Sequence, residues 1–178
     1  IMPSLVGSEM CIRDSSATMV KAGIYLVMRF TPVLGGEEIW NTTLIIVGGV
    51  TMLYSAVHSL FRTDLKGVLA YSTISALGIL MFLIGMGTTA SFTAAAVFII
   101  VHALYKATLF LTTGIIDHQT GTRDVTVLSG LRKVLMPVGI AAIIAAISSA
   151  GIPPTIGFLG KELTYEATMH APIIATIL

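Results

Sequence analysis

Long apolar stretches with almost no charge are the feature that most constrains this chain. "ALGILMFLIGMG", residues 76–87, is typical of several such stretches. A helix of roughly 20 apolar residues crosses the ~30 Å hydrocarbon core of a bilayer. Lipid-exposed backbone must satisfy its own hydrogen bonds, and a helix does so within one segment. The polar–apolar alternation of barrel strands does not occur in this stretch. We therefore predict an all-α, polytopic bundle of transmembrane helices.

Composition supports a membrane protein and argues against several other classes. Of the 178 residues, 55% are hydrophobic and 11% are charged, and the mean hydropathy is +0.94. Soluble domains average about 25% charged residues. A net charge of +1 gives no basic surface for nucleic acid. The single cysteine excludes an internal disulfide and a multi-cysteine metal site. We expect no cofactor, no metal and no nucleic-acid partner.

The apolar stretches divide the chain into predicted spans. Basic residues concentrate in the loops that follow the second and fourth spans, which places these loops in the cytoplasm. We expect a multi-pass protein of a bacterial or archaeal plasma membrane. The predicted transmembrane domain is 16–178, with spans at 16–30, 43–61, 67–86, 92–116 and 134–149, a broken continuation over 157–168, and a further span that begins at 171–178.

A lysine deep inside the fourth predicted span is the first candidate functional residue. Lys106 lies in "FIIVHALYKATLFLTTG", with apolar residues on both sides. A charge at such depth costs at least about 2.5–3.5 kcal/mol, so a functional role is the default hypothesis. His102 precedes it by four residues and therefore shares its helix face. Burial lowers the pKa of an amine towards neutrality, whereas arginine stays charged. The pair predicts a proton relay.

Each candidate also has a structural interpretation. Lys106 could snorkel to the membrane interface, and His102 could be a hydrogen-bonded packing residue. Lys21, in "ATMVKAGIYL", could anchor a helix end. Lys66 could lie at the interface, just after a helix N-cap at Thr63 or Asp64.

The stretch "SSAGIPPTIGFLGKE" interrupts an apolar segment with helix breakers. These residues are Gly151, Pro153, Pro154 and Gly157. Proline removes a backbone donor and clashes with the preceding turn. Broken helices mark ion sites in transporters, because irregular backbone survives at membrane depth only where protein or water covers it. We predict a discontinuous helix, with Lys161 beside it in the proton path and Glu162 and Asp64 as accessory residues. An ordinary loop between two spans is the alternative.

Four motifs occur in order along the chain, "SATMVKAGIYL", "RTDLKGVLAYSTIS", "VHALYKATLFL" and "GIPPTIGFLGKE". They resemble the antiporter-like membrane subunits shared by Mrp-type cation/proton antiporters and respiratory complex I. "SATMVKAG" and "IIDHQTGTRD" are most similar to the large A subunit of the Mrp antiporter. The resemblance implies a transporter subunit rather than an enzyme, with other antiporter subunits, protons, Na⁺ and the lipid bilayer as partners.

The resemblance also implies roles for individual residues. Lys21 and Lys106 correspond to lysines of a hydrophilic axis along the membrane midplane, with His102 beside them. Lys66 and Lys161 correspond to the lysines at the exit or at the connection to a neighbouring subunit.

Three functions are therefore open. The first is a fragment of a proton-translocating subunit of a multisubunit monovalent cation/proton antiporter. The second is a membrane-arm subunit of NADH:quinone oxidoreductase, which neighbouring genes or quinone-site inhibitors would reveal. The third is an unrelated solute carrier or a non-transporting scaffold, for which neutralising Lys21 or Lys106 would leave ion transport intact.

Residues 1–15 differ from everything that follows. "LVGSEMCIRDS" resembles the conceptual translation of a transposase-type sequencing-library adapter, and Ser15 stands where the family normally has a histidine. We therefore predict that residues 1–15, including Cys11, are not native to the fold. A genuine extramembrane N-terminus is the alternative.

Overall fold

A computed structural model of the chain describes residues 19–128, 130 and 135–169. Within these residues the secondary structure is helical, apart from one isolated backbone bridge between Asp64 and Asp124. The all-α prediction is confirmed. The predicted segments 1–15 and 171–178 lie outside the described residues. The helices are α1 (Met19–Leu34), α2 (Glu38–Leu60), α3 (Leu65–Gly85), α4 (Thr89–Thr120), α5 (Met136–Ala150) and α6 (Ile156–Met169).

Three of the described helices are long and apolar enough to cross a membrane. These are α2, α3 and α4, whose mean hydropathies lie between 1.6 and 2.0. Helix α5 is apolar but has only 15 residues. The helices overlap the spans that hydropathy predicts, and each of the three extends beyond its predicted span at the N-terminal end.

Local capping signals explain where the central helices begin and end. Asp64 is the N-cap of α3, and its carboxylate accepts a hydrogen bond from the Gly67 N–H at 3.0 Å. Thr88 and Ser91 form a reciprocal capping box at the start of α4. Helix α4 ends at Gly121, whose φ of 69° lies in the left-handed region that favours glycine.

Helices α2 and α3 pack closely because glycines face each other. A Cβ on Gly48 would lie 2.6 Å from the Phe82 backbone nitrogen, and one on Gly78 would lie 2.6 Å from that of Met52. Small residues let helix backbones approach within a membrane, where association depends on close packing. This contact fixes α3, which in turn faces α4.

Helices α5 and α6 run one after the other along α4. Ala145 of α5 packs near Tyr105, in the middle of α4. Ala167 of α6 belongs to the same buried cluster as Ala94, near the start of α4. Both helices therefore run antiparallel to α4 and in the same direction as each other. They form the two halves of the predicted discontinuous helix.

The break between these halves contains the predicted glycines and prolines. Gly151 has a φ of 73°, and the Pro153–Pro154 peptide bond is cis. Pro154 and Ile156 line an open groove of about 550 Å³ together with Tyr105. The break therefore lies at the level of the middle of α4, where His102 and Lys106 lie.

Candidate functional site

His102 is fully enclosed on the inner face of α4. Its side chain has 0% exposure, and its ring lies 5.8 Å from that of Phe98 and 5.3 Å from that of Tyr105. Neither ring nitrogen has a hydrogen-bond partner among the described residues. Buried polar atoms are normally paired. The described contacts therefore do not support the alternative of a hydrogen-bonded packing histidine.

Lys106 lies one turn further along the same face and is equally buried, with 3% exposure. Its Nζ donates hydrogen bonds to the Leu69 carbonyl at 3.2 Å and to the Ser72 hydroxyl. Both acceptors lie on α3, so the amine points into the bundle rather than along α4 to an interface. This geometry disfavours snorkelling. A buried ammonium needs such acceptors, since burying an unpaired charge is costly.

Lys21 brings a third nitrogen to this place from α1. Its side chain is buried, with 7% exposure. It is close enough to interact electrostatically with both His102 and Lys106. The structure thus brings together three of the five residues predicted for the relay, from two helices, at the buried face that α3 covers. We refer to Lys21, His102 and Lys106 as the buried basic cluster.

Lys66 lies elsewhere, at the start of α3. Its Nζ forms an ion pair with Asp117 Oδ2 at 2.8 Å, and the two side chains are 24% and 29% exposed. Arg123 Nε lies 3.6 Å from Asp117 Oδ1 and 4.0 Å from Asp64 Oδ1. The sequence interpretation placed Asp117 in a connection and was wrong, because α4 continues to Thr120.

Asp117 and Arg123 are charged neighbours of a predicted site residue that sequence reasoning missed. The loops on either side of Asp64 and Asp124 are joined by two backbone hydrogen bonds, from Leu65 N to Arg123 O and from Val125 N to Thr63 O, both at 3.0 Å. Antiparallel neighbouring helices bring the start of one beside the end of the next. Opposite charges at those two ends were the signal that could have found the pair.

Lys161 also lies apart from the buried basic cluster in its recorded hydrogen bond. Its Nζ donates to the carbonyl of Ala150, the last residue of α5, at 2.9 Å. Glu162, the predicted accessory residue, is exposed. Among the described residues, no group of three His, Cys, Asp or Glu side chains is arranged to hold a metal ion.

A bundle of apolar helices with buried basic side chains beside a broken helix defines a class of protein. Ionisable residues inside membrane helices mark ion pathways, and discontinuous helices mark ion sites. The architecture is that of a membrane ion transporter.

Comparison with known families agrees. The family described as "NADH:quinone oxidoreductase/Mrp antiporter, TM" matches residues 12–178, and the chain belongs to this family. The resemblance inferred from the four motifs is confirmed. The chain is therefore part of a multi-pass membrane protein.

Individual relatives lie on the Mrp side of this family. The chain is 43% identical, over 170 residues, to the Na(+)/H(+) antiporter subunit A1 of Staphylococcus aureus strains JH9 and Newman. That match covers 88% of this chain and 21% of each relative. A chain of the Mrp complex from Dietzia sp. DQ12-45-1b superposes with a TM-score of 0.84 at 43% identity, over 95% of this chain and 18% of that one. The chain thus spans about a fifth of the length of these relatives.

Proposed function

We propose that this chain is a section of a proton-translocating subunit of a multisubunit monovalent cation/proton antiporter. The names of its bacterial relatives, a Na(+)/H(+) antiporter subunit and an Mrp complex, support this function. The subunit works with other subunits of such a complex in the bacterial cell membrane. It carries protons, exchanges them for Na⁺, and acts as a transporter rather than as an enzyme.

The observation that carries the proposal is the buried basic cluster. Lys21, His102 and Lys106 interact electrostatically at a place with almost no exposure to solvent. Each side chain can bind and release a proton. Because nearby charges repel, a proton that binds to one member lowers the proton affinity of the other two. A proton that arrives at one end of the cluster therefore favours release from the other end.

Two sides of the cluster suit this role. Lys106 has acceptors on α3 that stabilise its charged form, the Leu69 carbonyl and the Ser72 hydroxyl. His102, between the two lysines in charge, has two ring nitrogens without partners among the described residues and can therefore accept and donate. Histidine is suited to pass a proton through, since one nitrogen can receive while the other releases.

Lys66 is the residue that we propose as the connection to the aqueous phase. It lies at the end of α3, where its side chain is 24% exposed and water can reach the amine. Asp117 and Asp64 surround it with negative charge, which attracts cations to this end of the bundle. The role of Lys161 in the proton path rests on the sequence resemblance alone.

The test uses the full-length subunit in its complete complex, in everted membrane vesicles. Lys106→Ala removes the amine, and Lys106→Arg keeps the charge but cannot release a proton. We expect both variants to reduce the Na⁺-driven pH change to that of vesicles that lack the complex. Thr108→Ala, on the exposed face of the same helix, is the matched control and should behave as wild type. Wild-type transport by Lys106→Ala would show that the relay is wrong.

A membrane-arm subunit of NADH:quinone oxidoreductase is the second candidate, because the family description includes that enzyme. Two observations separate the candidates. Genes for small Mrp subunits beside this gene favour the antiporter, whereas dehydrogenase genes favour the oxidoreductase. Inhibition of coupled proton pumping by quinone-site inhibitors would also favour the oxidoreductase.

A further inference from the structure

Lys161 bridges the break in the discontinuous helix. It lies in the second turn of α6, and its amine donates a hydrogen bond to the Ala150 carbonyl, at the last residue of α5, with a length of 2.9 Å. A single side chain therefore joins the two halves of the helix.

The end of α5 needs this donor. The last carbonyl groups of a helix lack partners within the helix. Two of those in α5 accept from the backbone of the break, from Gly151 N to Ser148 O at 3.0 Å and from Ile152 N to Ile147 O at 3.3 Å. The Ala150 carbonyl accepts from Lys161. An unpaired carbonyl is costly at membrane depth, and a positive charge is favourable at a helix C-terminus.

The break is also shaped around the stem of this lysine. A Cβ on Gly151 would lie 2.5 Å from Lys161 Cδ, and the φ of Gly151 is positive. On the opposite side, a Cβ on Gly157 would lie 1.7 Å from the Ser148 carbonyl oxygen. Only glycine fits at either position. The stem of Lys161 therefore packs against the backbone of the break, and the amine is directed at the helix end.

The two halves that Lys161 joins both pack on the face of α4 that carries His102 and Lys106. Ala145 of α5 contacts the cluster formed by Val101 and Tyr105, and Gly160 of α6 lies 3.7 Å, measured from its ideal Cβ, from Val101. The Ser149 side chain lies within hydrogen-bonding reach of Tyr105. The position of the break thus determines how α4 is enclosed beside the buried basic cluster.

We propose that Lys161 is a positioning residue, whose fixed positive charge clamps the two halves of the broken helix and which need not release a proton during transport. This inference rests on the proposed function for its effect on transport, but not for its effect on the structure of the break. It differs from the sequence-based role of Lys161 as a proton carrier, and the two roles predict opposite results for arginine.

The transport test compares Lys161→Arg with Lys161→Met in the full-length complex in everted vesicles. Arginine keeps a permanent charge and donors that can reach the carbonyl, whereas methionine keeps only an apolar stem. We expect Lys161→Arg to retain most of the Na⁺-driven pH change and Lys161→Met to lose most of it. The amounts of assembled complex in the vesicles are matched by native gel electrophoresis. Inactive Lys161→Arg in assembled complex, or wild-type transport by Lys161→Met, would overturn the clamp.

Hydrogen–deuterium exchange of the purified complex tests the break directly. The amides of Gly151 and Ile152 should exchange about tenfold faster in Lys161→Met, and at the wild-type rate in Lys161→Arg. Unchanged exchange in Lys161→Met would refute the proposal. If Lys161→Met does not assemble, Lys161→Arg decides alone: wild-type exchange and transport support the clamp, and loss of either refutes it.

The two proposals can fail separately. Lys106→Ala should abolish transport without changing the exchange at the break. If Lys106→Ala transports normally while Lys161→Met exchanges faster, the relay is wrong and the clamp stands.

Discussion

Replacement of Gly78 by alanine tests the glycine contact that holds α3 in place. The new Cβ would lie 2.6 Å from the Met52 nitrogen and 2.8 Å from the Gly48 carbonyl oxygen, both of them backbone atoms. Ordinary van der Waals contact begins at 3.4 Å, so α2 and α3 must separate locally by about 0.8 Å. Backbone on both sides of the contact leaves no flexible side chain to yield. We therefore expect the two helices to move as units.

The expected cost follows from two opposing effects. Overpacking of this kind destabilises by about 1–3 kcal/mol. Alanine regains roughly 0.5–1 kcal/mol over glycine in a helix interior. The net loss for Gly78→Ala is then about 1–2 kcal/mol. Because α3 carries the Ser72 and Leu69 acceptors of Lys106, we also expect slower transport.

The assay is the thermal midpoint of the purified full-length complex, followed by loss of the folded subunit. Gly139→Ala in α5 is the matched control, since no described atom lies within 4 Å of its new Cβ and the gain in helix propensity is the same. Gly78→Ala should melt several degrees below Gly139→Ala. Equal midpoints for the two variants would refute the argument from close backbone packing.

Three further predictions concern the contacts around the site. Ser72→Ala removes one acceptor of the Lys106 amine, and we expect a several-fold lower rate of Na⁺-driven pH change in vesicles that contain equal complex; an unchanged rate would exclude a role for this bond. Asp117→Asn removes the partner of Lys66, and because both side chains are partly exposed it should lower the free energy of unfolding by at most about 1 kcal/mol. That loss should shrink in high salt, and thermal melts that show the same loss at low and high salt would contradict a screened ion pair. Asp64→Ala removes the N-cap of α3 at a cost of about 1 kcal/mol, whereas Asp64→Asn keeps an acceptor, so identical melts for the two variants would contradict the capping role.

Much of the fold could be predicted from local sequence because local physics decides it. Apolar length indicates α2, α3 and α4, since the backbone must pair internally in lipid. Asp64 was one of two predicted caps for α3, and the structure places the cap there. Gly151 and the two following prolines stop α5 by their own backbone restrictions. The spacing of His102 and Lys106 placed them on one face before any tertiary contact was known.

The partners of the buried amines were a different matter. Nothing near Lys106 in sequence indicates that its acceptors are Leu69 and Ser72, which precede it by 37 and 34 residues. Asp117 is 51 residues from Lys66, and an ordinary-looking acidic residue near a helix end carries no mark of its partner.

The sequence by itself determined the class of this protein, its helices, the position of the break and the residues able to carry charge within a membrane. Each of these follows from hydropathy, helix periodicity and backbone restriction, which act over one or two turns. Only the tertiary structure decided that Lys21 joins His102 and Lys106, that Lys66 pairs with Asp117, and that Lys161 binds the end of α5. Those arrangements depend on how closely the helices approach, and the approach is set by interhelical contacts such as Gly48 against α3, between residues distant in the chain.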